Sequence, residues 1–259
     1  ISAHQGKFIA SRSKESILKE VKQIIDMPDF KGYLSDLGGP SANMYRMHGA
    51  NEELCRKCKR PSCLAPQICP NLNADHSSLL DIYQAIDALP GIKKSFIGSG
   101  VRYDLLLHRH KDNELNHCTR LYTEELISRH VSGRLKVAPE HTEDEVLKLM
   151  RKPSFALFRE LNAQFNDICR REGLRYQLIP YFISSHPGCT EADMKALARK
   201  VLGKLHFTLE QVQDLTPTPM TLSSVMFHTG RDPYTGEELY VACNQDDKRR
   251  QKSYFFRES

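Results

Sequence analysis

The sequence predicts an α/β protein in which parallel strands alternate with outer helices. Apolar residues at helical spacing and short apolar strands follow one another along the chain, and each strand is followed by a loop rich in Gly, Pro, Ser or His. Such alternation builds right-handed β-α-β units, and therefore a parallel sheet that is either open or closed into a barrel. The 259 residues, of which 40% are hydrophobic, can bury one large core or two small ones.

The first two helix–strand units lie in the amino-terminal half. Apolar spacing predicts a helix over residues 16–27, and the segment GYLSDL predicts a strand over 32–37. The second unit has its helix over 79–89 and its strand over 94–97. The loops that follow these strands are GGPSAN and GSGVRYD.

The second half repeats the same order. Helices are expected over residues 122–130 and along the apolar face between 155 and 168, and they lead to strands over 135–138, 176–183 and 210–215. Thr142 and Glu145 have the S/T-x-x-E spacing of a capping box, and Thr190 and Asp193 are expected to open another helix. Five parallel strands are thus predicted between residues 30 and 215.

Chemically distinctive residues gather in the loops after these strands. Parallel α/β folds place their sites at the carboxyl ends of the strands, because those loops share one rim. We therefore expect one residue from each loop to lie along a single rim: Gly38, Ser99, Glu140, His186 and Thr216.

Long segments of the chain resemble the YgiQ family of radical S-adenosylmethionine (SAM) proteins. These segments are DLGGPSANMYRM, CKRPSCLAPQICPNLNADH, GIKKSFIGSGVRYD, LKVAPEHTEDEVLKLMRKP, YQLIPYFISSHPG and VQDLTPTPMTLSSVMFHTG. The resemblance implies that residues 1–259 form a partial (β/α) TIM-type barrel of the radical SAM kind. In that family an N-terminal domain that looks like a cobalamin-binding module precedes the barrel, and a variable tail follows it.

The resemblance also implies a catalytic [4Fe–4S] cluster whose ligands are not in this sequence. Radical SAM proteins hold the cluster with a CxxxCxxC loop, and the family's version ends just before the segment that resembles ISAHQGKF. Ile1 therefore lies just past this loop. The chain is expected to be a fragment of a longer protein, and to be inactive alone because the cluster cannot assemble without its thiolates.

The SAM-binding residues that the resemblance implies all follow predicted strands. They are Gly38, Gly39, Ser99, Arg102, Glu140, His141, Ser185 and His186, and Thr216 joins them by its position after the last strand alone. From the residues alone other roles stay open. The glycines suit an ordinary turn, Arg102 a surface pair with Asp104, Glu140 a helix cap and His186 a hydrogen-bonded rim position.

Four cysteines, Cys55, Cys58, Cys63 and Cys69, lie in a segment inserted at about residues 42–76. Their C-x2-C-x4-C-x5-C spacing matches no common zinc motif in full, but four thiolates suffice for zinc or an auxiliary [4Fe–4S] cluster. Unliganded or redox-active thiols and disulfides are the alternatives. The resemblance supports Cys58, Cys63 and Cys69, while His76 is an alternative fourth ligand.

Two classes of function follow. The chain is either a radical SAM enzyme core with an unspecified substrate, or a metal-stapled module that binds RNA or a protein without catalysis. The net charge of +5 permits nucleic-acid contact, although the basic residues are scattered. No run of about eighteen apolar residues predicts a membrane span. The low cysteine density indicates a reducing compartment, and hence the cytoplasm.

Overall fold

A computed structural model describes residues 9–38, 41–205, 207, 209 and 212–256. Its strands are β1 (Tyr33–Leu34), β2 (His48–Gly49), β3 (Leu72–Asn73), β4 (Lys94–Ser95), β5 (Arg134–Glu140), β6 (Gln177–Ser184) and β7 (Val212–Asp214). Its helices are α1 (Lys14–Ile25), α2 (Glu52–Arg56), α3 (Ser77–Asp87), α4 (Tyr103–Leu106), α5 (Asn113–Arg129), α6 (Asp144–Met150), α7 (Phe155–Arg171), α8 (Glu191–Ala198), α9 (Leu222–Thr229) and α10 (Gln245–Ser253). A π-helical turn, Arg199–Lys204, continues α8.

The predicted parallel α/β architecture is confirmed, with shorter strands than expected. β1 pairs in parallel with β4, and β5, β6 and β7 form a separate parallel sheet. The described strands do not close into a barrel. The partial TIM-type barrel of the radical SAM kind therefore remains a prediction.

Backbone contacts extend beyond the two-residue strands β1 and β4. The N–H of Phe96 donates to the carbonyl of Leu34 at 2.9 Å, and the N–H of Leu37 donates to the carbonyl of Phe96 at 2.8 Å. The N–H of Ile97 then donates to the carbonyl of His130 at 2.8 Å, just before β5 begins. The two sheets are thus neighbours, although no ladder joins them among the described residues.

One hydrophobic core lies beneath both sheets. Strands of both sheets contribute to it through Leu34, Leu135 and Leu178, and the helices cover it with the apolar faces that the sequence predicts. Its largest fully buried side chains are Tyr83, Tyr122, Phe158, Phe165 and Phe182. None of the helices in the described ranges is both long enough and apolar enough to cross a membrane.

The two predicted helix starts have different outcomes. Thr190 and Asp193 form a reciprocal capping box at the start of α8, as predicted. The predicted box at Thr142 is wrong, because Glu143 is the N-cap of α6 and offers no side-chain cap. The Thr142 hydroxyl donates to the Glu143 carboxylate at 2.8 Å and is therefore directed away from the helix.

The cysteine segment is closed at its base by a short antiparallel ladder that the sequence does not predict. In this neck, β2 pairs with β3, and the N–H of Ala50 donates to the carbonyl of Asn71 at 2.7 Å. A small separate core of Met47, Ala74 and Leu105 lies beside it. The segment therefore leaves and rejoins the protein at one place.

Candidate functional site

Asp36 joins the loops after β1 and β4. Its carboxylate accepts hydrogen bonds from the backbone N–H of Gly38 at 2.8 Å and of Gly98 at 3.0 Å, and from the Ser99 hydroxyl at 2.6 Å. Burial opposes ionisation, but these donors prevail and lower the pKa of Asp36 below its ordinary value. The sequence reasoning missed Asp36, whose signal is an acidic side chain directly after a strand.

A cavity of about 650 Å³ opens beside this carboxylate. Its walls are mostly apolar and come from α1, β1 and α3, with Val21, Leu34 and Leu79 among them. Asp36 and Gly38 supply polar groups to the lining. An apolar cavity with a few convergent polar groups is typical of a small-molecule site. Gly39 lies outside the described residues.

Arg102 is held in place by two neighbours. Its guanidinium donates to the Asp104 carboxylate at 2.9 and 2.5 Å, while Asn43 bonds to both the N–H and the carbonyl of Arg102. Burial acts to lower the pKa of Arg102, but Asp104 outweighs it and the pKa is raised. The pair with Asp104 is formed and partly buried, with side-chain exposures of 28% and 8%.

Glu140 ends β5 in an unusual backbone conformation, with φ at +67°. Its carboxylate accepts from the Lys152 ammonium at 2.8 Å, and its charge contributes to the raised pKa of Arg102. It does not cap α6, whose N-cap is Glu143. The left-handed region is costly for a residue with a Cβ, and such residues cluster at functional sites.

His141, the residue after β5, is buried. Its Nδ1 accepts from the backbone N–H of Glu143 at 3.0 Å, and its Nε2 lies 3.4 Å from the sulfur of Cys189. Burial lowers the pKa of His141 to about 4 and raises the pKa of Cys189 to about 12. Both groups are therefore neutral near pH 7, which makes the thiol a poor nucleophile.

Ser185 follows β6 and repeats the backbone conformation of Glu140, with φ at +62°. Its N–H donates to the side-chain carbonyl of Gln251 at 2.8 Å, whereas its buried hydroxyl has no hydrogen-bond partner. Gln251 also donates to the carbonyl of Cys189 at 2.9 Å, so helix α10 holds this loop from 62 residues away. A distant glutamine carries no local signal, and the sequence reasoning missed it.

His186 is buried and has a partner at each ring nitrogen. Nδ1 lies 2.8 Å from the carbonyl of Pro187, and Nε2 lies 2.9 Å from the hydroxyl of Ser223. These contacts match a hydrogen-bonded rim position. Thr216 is exposed just after β7, and its carbonyl accepts from the Thr218 hydroxyl at 3.3 Å.

Contacts link the loops that follow successive strands, while the common rim of Gly38, Ser99, Glu140, His186 and Thr216 stays a prediction. Asp36 joins Gly38 to Ser99, and the charge of Glu140 acts on Arg102. The His141–Cys189 contact joins the loops after β5 and β6, and Ser184 donates to Asp214 at 2.7 Å between the ends of β6 and β7. Binding of SAM by the predicted site residues also stays a prediction.

The cysteine segment holds four thiols, and no disulfide joins any cysteine of the described chain. The sulfur of Cys55 accepts from Asn71 at 3.2 Å, and that of Cys58 accepts from the N–H of Arg60 at 3.4 Å. Among the described residues, the sulfurs are not part of any group of three ligand atoms within 4.8 Å. Metal binding at these cysteines would thus require the loop to close further, and it stays a prediction.

Comparison with known proteins gives one match to a short terminal segment and several matches to nearly the whole chain. Residues 210–258, which span β7, α9 and α10, match a family model described as a domain of unknown function, DUF3362. A UPF0313 protein of Bacteroides thetaiotaomicron is 64% identical over 256 residues, which cover 99% of this chain and 41% of that protein.

Two further relatives have the same name. The UPF0313 protein of Porphyromonas gingivalis is 62% identical over 99% of this chain and 40% of its own length. That of Methanocella arvoryzae is 44% identical over 96% of this chain and 40% of its own length. The chain therefore spans about two fifths of the length of these curated relatives.

Proposed function

We propose, from the homology of this chain to the UPF0313 proteins, that it is the SAM-binding barrel portion of a radical SAM enzyme. UPF0313 is the YgiQ family, which the sequence motifs resemble. The cluster ligands are proposed to lie in residues upstream of Ile1, and a cobalamin-binding-like domain to precede them. The substrate is unassigned, and the cytoplasm is the proposed compartment.

The observation that carries this proposal is the buried Ser185 hydroxyl without a partner, at a strand end with a left-handed backbone. A buried hydroxyl without a hydrogen bond costs about 1–3 kcal/mol, which a bound polar ligand can recover. Glu140 has the same backbone conformation at the neighbouring strand end. Two strained positions at successive strand ends are typical of a binding site.

The residues present fit the chemistry of SAM. SAM has an amino group, a carboxylate and ribose hydroxyls. The Asp36 carboxylate suits a cationic amino group, the Arg102 guanidinium suits a carboxylate, and Glu140 can accept from hydroxyl groups. When bound together, SAM and its cluster supply radical chemistry. The chain's own residues would bind and orient SAM and exclude water from it.

The test measures SAM binding by the complete polypeptide, prepared anaerobically with its cluster. Ser185→Ala is expected to weaken SAM binding at least about tenfold, or about 1.4 kcal/mol, because it removes the unpaired hydroxyl. Exposed Ser253, at the end of α10, provides the matched Ser→Ala control. Unchanged SAM affinity in Ser185→Ala, or no SAM cleavage by the loaded parent protein, would refute the proposal.

A second candidate is an RNA- or protein-binding module stapled by metal. It is favoured by the basic residues that lie among the cysteines, with Arg56, Lys57 and Lys59 all exposed. Retention of RNA that weakens steeply with salt, with no SAM binding, would support it. SAM binding, together with no salt-dependent retention of RNA, would support the enzyme instead.

A further inference from the structure

Three potential ligands come together at the end of the sheet opposite the strand-end loops. Asp87 closes α3 just before β4, while Glu125 and His130 lie at the end of α5, just before β5 begins. One ligand atom from each residue lies within 4.8 Å of the others. Among the described residues this is the only such group of three. None of the functions considered above uses these residues.

The His130 ring is oriented by the backbone. Its side chain is fully buried, and its Nδ1 lies 3.0 Å from the carbonyl of Ser95. Because a carbonyl oxygen can only accept, Nδ1 carries a proton. The Ser95 hydroxyl lies 3.1 Å from the same nitrogen and donates to Asp87 at 2.6 Å. The lone pair of a neutral ring is therefore on Nε2.

That Nε2 atom is buried and has no hydrogen-bond partner. It faces Oε1 of Glu125 at 3.7 Å, which is beyond hydrogen-bond distance. The other oxygen of Glu125 is 3.4 Å from Arg129. A nitrogen lone pair and a carboxylate oxygen that face each other repel unless a cation lies between them. A proton on Nε2 or a metal ion can supply that positive charge.

We propose that Asp87, Glu125 and His130 bind one divalent transition-metal ion, for which zinc is the representative. Zinc takes imidazole and carboxylate ligands at about 2.0–2.2 Å, so its ligand atoms lie about 3–4 Å apart, and the 3.7 Å between Nε2 of His130 and Oε1 of Glu125 fits this range. A histidine that donates its other N–H to a backbone carbonyl is the usual arrangement around such metals. The two carboxylates neutralise the charge of the ion.

The location suits a structural ion. The carboxyl ends of α3 and α5 meet here, and helix dipoles favour a cation at those ends. Asp87 is exposed, which gives an ion a path from solvent, and a water molecule can complete the tetrahedral coordination. The ion would join the two helices beneath the candidate site.

The experiment uses the chain with Cys55, Cys58, Cys63 and Cys69 all replaced by Ser, so that the cysteine segment cannot bind zinc. Zinc titration by calorimetry is expected to show one site. Asp87→Asn and Glu125→Gln should each weaken zinc binding at least about tenfold. Asp81→Asn on α3 and Glu124→Gln on α5 are the matched controls, and both should bind zinc like the parent.

A second measurement does not depend on the variants. The parent is the chain in which Cys55, Cys58, Cys63 and Cys69 are all Ser. X-ray absorption of zinc bound to this parent should show nitrogen and oxygen neighbours, including imidazole, and no sulfur. Zinc should also raise the unfolding midpoint of the parent and the controls, but not that of Asp87→Asn or Glu125→Gln. No stoichiometric binding in the parent, sulfur around the zinc, or equal affinity in Glu125→Gln and Glu124→Gln would each overturn the proposal.

Discussion

At the scale of single residues, Asp36 has the most consequential contacts. Its carboxylate bonds to the loops after two strands and so holds them together. Asp36→Asn keeps the shape of the side chain but leaves one oxygen and no charge. We expect it to lower the free energy of unfolding by about 1 kcal/mol near pH 7.

The pH dependence provides the sharper test of Asp36. Because the folded protein lowers the pKa of this group, its contribution is present above the unfolded pKa and is lost as the pH falls through the folded pKa. In denaturant titrations from pH 7 to pH 2, the free energies of unfolding of the parent and Asp36→Asn should therefore differ most near pH 7 and converge in acid. Exposed Asp29 provides the Asp→Asn control, and a constant difference at every pH would contradict the explanation.

Gly49 packs closely against Cys55 at the base of the cysteine segment. A Cβ at this position would collide with the sulfur of Cys55. Gly49→Ala should therefore cost about 1–3 kcal/mol or displace the segment, and native alkylation of Cys55 should become faster. Gly100→Ala, where a Cβ has open space, is the control. Equal alkylation rates in the two variants would show that the segment tolerates the methyl group.

At the scale of elements, local signals explain which helix start was predicted correctly. The Thr190 hydroxyl accepts from the N–H of Asp193, whereas the Thr142 hydroxyl contacts only a neighbouring side chain. Thr190→Ala should cost about 1 kcal/mol, measured by denaturant unfolding. Thr142→Ala removes no helix cap and should cost less. A larger loss for Thr142→Ala would reverse this interpretation.

The sequence predicts the order and direction of the long elements but not the details of their pairing. The five parallel strands follow from short apolar runs between amphipathic helices, and all five occur. The helix expected over 122–130 begins at Asn113, because its first half is polar and gives little periodicity. The neck of β2 and β3 escaped prediction because a two-residue ladder is too short to show alternation.

The candidate site, like the fold, could be predicted in part from the sequence. Residues after strands were identified because parallel strands bring their ends together. Asp36 and Gln251 were missed, since their roles depend on hydrogen bonds to distant loops. Gln251 carries no local signal, whereas Asp36 carries one, an acidic side chain directly after a strand. The partners of both residues follow only from the three-dimensional arrangement.

At the scale of the whole molecule, two buried histidines make the stability fall in acid. Burial lowers the pKa of both His76 and His141 from an ordinary 6.5 to about 4. A lowered folded pKa means that the unfolded chain binds the proton first. The contribution of each histidine to the free energy of unfolding is therefore greatest above about pH 6.5. It is lost as the pH falls towards pH 4, by up to about 3 kcal/mol for each histidine.

This prediction is checked with unfolding free energies at half-unit intervals between pH 7 and pH 4. His141→Gln should flatten the curve, because it removes one of the histidines whose pKa is lowered most by burial. His228→Gln changes an exposed histidine and should leave the slope unchanged. If the free energy of unfolding falls equally with pH in the parent and in His141→Gln, groups other than His141 cause the loss of stability in acid.

The neck beneath the cysteine segment has a consequence for how this part of the protein can vary. The chain enters at Ala50 and leaves at Asn71, and these two residues are hydrogen-bonded neighbours. Everything between them can be lengthened, shortened or exchanged for another sequence while the anchoring points stay at the same separation. The segment therefore has the geometry of a graftable module, which relatives could diversify independently of the sheet on which it is mounted.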